Sequence, residues 1–390
     1  MHFQFYFQAT MSVILKKLRL IVSLAFFFLI LFQSVSAQDK FNRVTEWVDQ
    51  RLNALGGRAV LIILKDSQIV YNQSFNKMSK RQIAAAQTKA RLKDLDENTF
   101  TQDFTPETKA EINGAGKWLT AALAMTFVQE NKFRLSDTVG KFLPILSKNG
   151  KGHIRIWHCL SSTTGIKEGS LRESLPAFQK IQTAKEYLEF ISEYPLEAEP
   201  GKIFRYGNIG WQILAAIMEQ LGEKDIHTLF KERISEPLQM THTDFGSKSF
   251  PLLGSNAYSS PNDYIQFLQM ILYEGTYKGK RIISKALINE MQKNKIGKDC
   301  IMANSPDEER IWGYGFGEWL MDQPLATTPR KDAMPESPRS QFIACPGITG
   351  SFPWINYQKK YAAILFFSNP DNQESFRSYK ELKEIVDSIF

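Results

Sequence analysis

The sequence predicts a mixed α/β (α+β) chain. One antiparallel sheet is built from both chain ends and flanked by helices, with a helical lobe inserted. Three observations carry this expectation. Strand-like apolar runs lie near the start and again after residue 310, the middle holds two helices apolar nearly all round, and amphipathic helices open and close the folded part.

In chain order, Phe41, Val44, Trp47, Val48, Leu52 and Leu55 recur at helical spacing, and Gly56-Gly57 is a natural stop. Ala59 to Leu64 and Ile69 to Phe75 read as a strand pair around the polar turn Lys65-Asp66-Ser67-Gln68. Asn76 to Lys109 is polar and reads as a surface excursion. Lys117 to Glu130 and Gly210 to Leu221 have the all-round apolarity of buried helices, and Ile226 to Ile234 adds a further helix. Strands are expected at Gly313–Leu320, Ser340–Cys345, Phe352–Asn356 and Tyr361–Phe367. A helix through Phe376, Tyr379, Leu382, Ile385, Val386 and Ile389 closes the chain. No repeat or low-complexity linker interrupts this pattern, so residues 38–390 are expected to form one domain.

The 390 residues are 43% hydrophobic and 23% charged, with both signs mixed, which supports a large core and excludes wholesale disorder. The formal charge is +7. Lys16, Lys17 and Arg19 precede the apolar run Leu20–Phe32, and Val35-Ser36-Ala37 ends a small-residue site. This is the pattern of a secretory leader over residues 1–37, cut after Ala37, with Met11 an alternative start. A run of thirteen residues is short for a bilayer that needs about twenty, so no stable membrane anchor is expected after cleavage, and the protein is expected to be periplasmic or secreted. Removing the leader leaves 45 basic and 41 acidic residues, an excess of +4 read as spread along the chain, so no nucleic-acid partner is expected. Cys159, Cys300 and Cys345 are an odd, widely spaced set rather than a disulfide framework. The five histidines form no metal-ligand pattern, so neither metal nor cofactor is expected, and His153 and His158 read as structural.

Three segments hold chemistry-bearing residues. Glu111 to Leu123 runs glycines into Lys117 at the head of a buried helix, where desolvation disfavours the ammonium and suits it to proton transfer. Its plainer reading is a surface lysine. Pro200 to Gly210 sets Tyr206 and Asn208 two residues apart before another buried helix, where both can point into one cavity; alone, the plainer reading of a core phenol and an N-cap is favoured. Cys345 to Trp354 carries Gly347 and Gly350, which permit close backbone approach and leave N–H groups to face a ligand. It reads equally as a glycine-rich strand entry.

The order and spacing of these segments resemble the serine β-lactamase and penicillin-binding-protein superfamily, in particular its branch of class C β-lactamases, DD-peptidases and esterases. Five stretches are similar in order: Asn131–Pro144, Ile154–Ile166, the run from Glu199 through Tyr206 and Asn208, Ser259–Leu272, and Trp312–Trp319. The resemblance implies a β-lactamase/transpeptidase-like fold. It also implies a site in which a serine three residues before a lysine attacks an acyl carbonyl, the lysine and a tyrosine manage its proton, and backbone N–H groups stabilise the oxyanion. By position the lysine is Lys117, the tyrosine Tyr206 and the asparagine Asn208. The last motif falls on Ile348-Thr349-Gly350, with Ser351 the expected N–H donor.

Two departures shape the functional expectation. The serine position holds Gly114, and no Ser or Thr lies between Glu111 and Lys117, so the acyl-enzyme route has no oxygen to start from. Ile348 replaces the usual Lys or His of the last motif. The expected protein is a non-catalytic or strongly impaired relative that binds a small-molecule or peptide-like ligand bearing an acyl group, at Lys117, Tyr206, Gly114, Asn208, Thr349, Gly350 and Ser351. The alternatives are an active hydrolase using Lys117 and Tyr206 with water or another nucleophile, and a protein that keeps only the fold. Gly114→Ser is expected to restore covalent labelling.

Overall fold

The computed structural model describes residues 40–92, 94–167, 169, 177, 178, 180–305, 312–323, 334, 337–347, 350–369 and 376–390. The leader over residues 1–37, together with Ile348 and Thr349 of the expected last motif, lies outside the described residues. Helix α1 (Asn42–Arg51) is followed by strands β1 (Arg58–Lys65) and β2 (Gln68–Asn76), and helix α2 (Lys80–Leu92) lies in the polar excursion. Short β3 (Ala110–Glu111) leads into α3 (Gly116–Gln129). The middle is mainly helical and includes β4 (Ile203–Arg205), α4 (Ile209–Gly222), β5 (Tyr258–Ser259) and α5 (Pro261–Leu272). The strands β6 (Thr276–Tyr277), β7 (Lys280–Arg281) and β8 (Ile301–Asn304) follow. The last part holds β9 (Gly313–Tyr314), β10 (Trp319–Leu320), β11 (Phe342–Ala344), β12 (Ser351–Asn356), β13 (Tyr361–Phe367) and α6 (Phe376–Asp387).

The chain divides into two compact units. In the described part of Met1–Gln50 with Lys380–Phe390, the Trp47 indole donates to the Glu381 carboxylate at 3.1 Å, and the rings of Phe41 and Phe390 meet edge-on at 6.3 Å. The second unit, Arg51–Tyr379, carries the sheet and the helical lobe.

Seven strands in the order β2-β1-β13-β12-β11-β10-β9 form the antiparallel sheet expected from both chain ends. Its centre pairs β1 with β13 in continuous register from Ala59↔Phe367 to Lys65↔Tyr361. Strands β12 and β13 are buried throughout, and β1 is buried except at Lys65, which is why their sequences are near-continuous apolar runs. Edge strand β2 alternates instead, burying Tyr71 and Phe75. Helix α3 is buried from Gly116 to Phe127, as its all-round apolarity requires.

Two expectations change in detail. Gly313–Leu320 is not one strand but two, because Gly317 turns at φ +81° and lies so close to α3 that a Cβ there would stand 2.6 Å from the Lys117 carbonyl oxygen. The helix read over Ile226–Ile234 is α-helical over Ile226–Phe230 and continues as a π-helical turn at Lys231–Ser235.

Candidate functional site

Strand β3 pairs with β5, and the chain then turns sharply into α3. Asn113 makes the turn in the left-handed region at φ +46°, a conformation that strains a residue with a Cβ. The turn is pinned at both sides: the Ile112 N–H donates to the Ala257 carbonyl at 2.9 Å, and the buried Tyr264 hydroxyl donates to the Ala115 carbonyl at 2.9 Å. Gly114 stands at its apex, at the position the resemblance assigns to a nucleophilic serine. A Cβ on Gly114 would meet the Tyr206 hydroxyl oxygen at 2.7 Å and the Pro346 carbonyl oxygen at 3.1 Å. The missing side chain has left no vacancy, because the tyrosine hydroxyl fills its place.

Tyr206 comes from the end of β4, which runs parallel to β8. Its N–H donates to the Asn304 carbonyl at 2.9 Å, and the Asn304 amide returns a bond to the Tyr206 carbonyl at 2.6 Å. The ring lies among Tyr314 and Trp319, with centroids 6.0 and 5.6 Å away. Burial, and after it the neighbouring Cys345 thiol, push the phenol well above its ordinary pKa, so it is a neutral hydroxyl at physiological pH.

Lys117 is 3% exposed, so the surface-lysine reading fails. Its ammonium donates to the Gly254 carbonyl at 2.7 Å and lies 4.3 Å from the centroid of the Tyr206 ring, a cation–π arrangement. Asn208 occupies the N-cap position of α4 but makes no side-chain cap. Its Oδ1 faces Gly254 instead, where a Cβ would stand 2.5 Å from it and 3.2 Å from Lys117 Nζ. Lys117, Tyr206, Asn208 and Gly114 are therefore brought together.

On the strand side the backbone that meets Gly114 is Pro346 and Gly347, immediately before the expected motif. The Cys345 thiol donates to the Gly114 carbonyl at 3.3 Å. Gly350 packs against the carbonyl oxygens of Glu111 and Phe367. Ser351 is fully buried, and its hydroxyl donates to the Ile112 carbonyl at 3.4 Å. Thr349 lies outside the described residues. The signal for the Cys345-Pro346-Gly347 approach was the end of β11, where the chain leaves the ladder directly beside the α3 turn.

Two buried acids bear on the site's electrostatics. Burial raises the Cys345 thiol to about 12, with Lys117 opposing and Glu318 reinforcing the shift, and burial also raises Cys300 to about 12 and Cys159 further. At pH 8 the thiolate fraction of such groups is about a thousandfold below that of a free cysteine. We expect a thiol reagent such as DTNB to titrate none of the three in the folded protein within the time that urea exposes all three. A fast native thiol would show that one of them is open and activated.

Glu318 lies fully buried between β9 and β10. Burial holds its carboxyl well above the usual range, outweighing the charge of Arg339 and the Trp118 indole N–H. A carboxyl kept protonated in the fold contributes stability below its ordinary value of 4.5 and loses it as pH rises through the interval above, where only the unfolded chain ionises. Glu318→Gln is therefore expected to gain on the wild type by about 1.4 kcal/mol for each pH unit within that interval. Urea unfolding at pH 5 and pH 8 measures it, and an advantage that shrinks with rising pH would reverse the assignment.

Against known proteins, residues 44–387 match the family model described as Beta-lactamase. An Escherichia coli (strain K12) protein provisionally named a D-alanyl-D-alanine carboxypeptidase is 24% identical over 225 residues, 53% of this chain and 47% of that protein. The chain thus spans about half the length of that relative. Among solved structures, one from Bacteroides dorei DSM 17855, provisionally named a beta-lactamase, superposes with a TM-score of 0.71 at 22% identity, covering 90% of this chain and 98% of that one. EstCE1, described as a hydrolase with promiscuous acyltransferase activity, gives 0.70 at 18% identity, covering 90% and 99%. At these identities the two structures bear on the fold.

Proposed function

Because this chain belongs to the Beta-lactamase family, we propose that it is an exported, non-catalytic or strongly impaired member that holds an acyl- or peptide-like ligand in the family pocket. The observation that carries the reading is at Gly114: no side-chain oxygen exists there, and the Tyr206 hydroxyl takes up the space one would need. The neutral phenol is suited to donating a hydrogen bond to a ligand carbonyl rather than to removing a proton. The name of the Escherichia coli relative points to peptides ending in D-alanyl-D-alanine, and the description of EstCE1 to acyl transfer; both involve such a carbonyl.

The test is intact-mass analysis after incubation with a fluorophosphonate and with a penicillin, beside calorimetric titration with a D-alanyl-D-alanine peptide. We expect binding without an adduct, and a chain that starts at Gln38 when it is recovered from an exporting host. A stoichiometric adduct would overturn the non-catalytic reading. The buried Lys117 against Tyr206 favours a second reading, hydrolysis by activated water. Turnover of a chromogenic ester without an adduct, abolished by Lys117→Ala or Tyr206→Phe, would establish that reading instead.

A further inference from the structure

The chain's positive excess is not evenly spread, contrary to the expectation from its average. From Lys77 to Lys93 six Lys or Arg occur with no Asp or Glu, against a whole-chain excess of seven. Most of this run is helix α2, thirteen residues of which only Ala90 is buried. The helix seats on Gln82, Ala86 and Ala90 at i, i+4 and i+8, with the Gln82 amide donating to the Asn53 carbonyl at 2.9 Å. Arg81, Ala84, Ala85, Thr88 and Leu92 form the exposed stripe.

Local stability does not account for these charges. Lys80 and Arg81 occupy the first turn, where the helix dipole favours anions, and the turn holds no acid. Two basic groups are already engaged: Arg91 pairs with Glu97 at 2.8 Å, and Lys89 lies 4.7 Å from the Phe100 ring centroid. Lys77, Lys80 and Arg81 face solvent beside unusual apolar exposure. Ile83 is 36%, Leu92 83% and Leu95 45% exposed, half of the exposed large hydrophobic side chains among the described residues.

We propose that α2 and its C-terminal flank are a peripheral docking surface for an anionic phospholipid bilayer. The basic groups meet lipid phosphates while Leu92, on the same stripe as Arg81, and Leu95 enter the interface. Such a helix lies in the interfacial plane and binds reversibly. The exposed leucines favour a membrane over a soluble polyanion, which offers them nothing.

Co-sedimentation with phosphatidylglycerol-containing and pure phosphatidylcholine vesicles tests the assignment. The neutral vesicles report any contribution of the apolar run at residues 20–32, so the difference between the two isolates the charge. At low ionic strength we expect at least about tenfold stronger binding to the anionic vesicles, falling with salt. Lys80→Glu with Arg81→Glu is expected to remove at least tenfold of it, and Leu92→Ser with Leu95→Ser several-fold, with unchanged circular dichroism. Equal partition to both vesicle types, or binding indifferent to the charge reversal, would overturn the proposal. So would full binding by the leucine variant combined with displacement by heparin, which marks a polyanion site.

Discussion

Gly114→Ser lowers stability by about 1–3 kcal/mol and leaves the protein without rapid acylation. This expected result runs against the sequence-based reading, in which restoring the oxygen restores labelling. The added Cβ would stand 2.7 Å from the Tyr206 hydroxyl oxygen and 3.1 Å from the Pro346 carbonyl oxygen, both shorter than ordinary contact. Backbone at Pro346 cannot yield cheaply, so the phenol must move, and its ring is held under the Lys117 ammonium and among Tyr314 and Trp319. The mechanism makes a sharper prediction than the single variant. In a Tyr206→Phe background the closest atom is gone, and the same Gly114→Ser change costs at least about 1 kcal/mol less. Urea unfolding of the four proteins, with fluorophosphonate labelling followed by mass, measures both. A serine variant as stable as the wild type and labelled within minutes would mean that Tyr206 moves aside readily.

Lys117→Met is the second large effect, and its direction separates function from structure. Methionine nearly conserves the volume in a wholly buried site. The Gly254 carbonyl loses its donor, a cost of about 1–3 kcal/mol, while the burden of keeping an ammonium 3% exposed disappears, a gain of comparable or larger size. We therefore expect stability within about 1 kcal/mol of wild type, or higher, together with at least about tenfold weaker binding of a D-alanyl-D-alanine peptide. Calorimetry and urea unfolding on the same preparation decide it. A variant destabilised by more than about 3 kcal/mol with unchanged binding would make Lys117 a packing residue.

The sheet was legible because strands buried on both faces have to be apolar throughout, and β1 and β13 are. The helix side of the site was legible for a related reason: Lys117 and Asn208 each stand at the mouth of an apolar helix, where a polar side chain has few places to go. Local spacing could not show that Asn208 leaves its cap unmade, since that depends on Gly254, far along the chain. The approach of Pro346 and Gly347 was missed because the Thr-Gly pair that follows looks more like a motif, and only the end of β11 shows which residues reach Gly114. Glu318 was hidden inside a run read as one strand. The basic stretch of α2 disappeared into a whole-chain average.

The pairing of β1 with β13 has a consequence for how the protein comes to be made. Residues 58–65 have no neighbour on one side of the sheet until residues 361–367 exist. A nascent chain can form the opening hairpin and several helices, yet it cannot close the central ladder before synthesis is almost finished. Throughout that time one edge of a strongly apolar strand stays open. A chain in this state presents that open edge to other chains, and aggregation competes with the closing of the ladder. Ending the chain before Tyr361, which removes β13 and all that follows, would hold it there permanently.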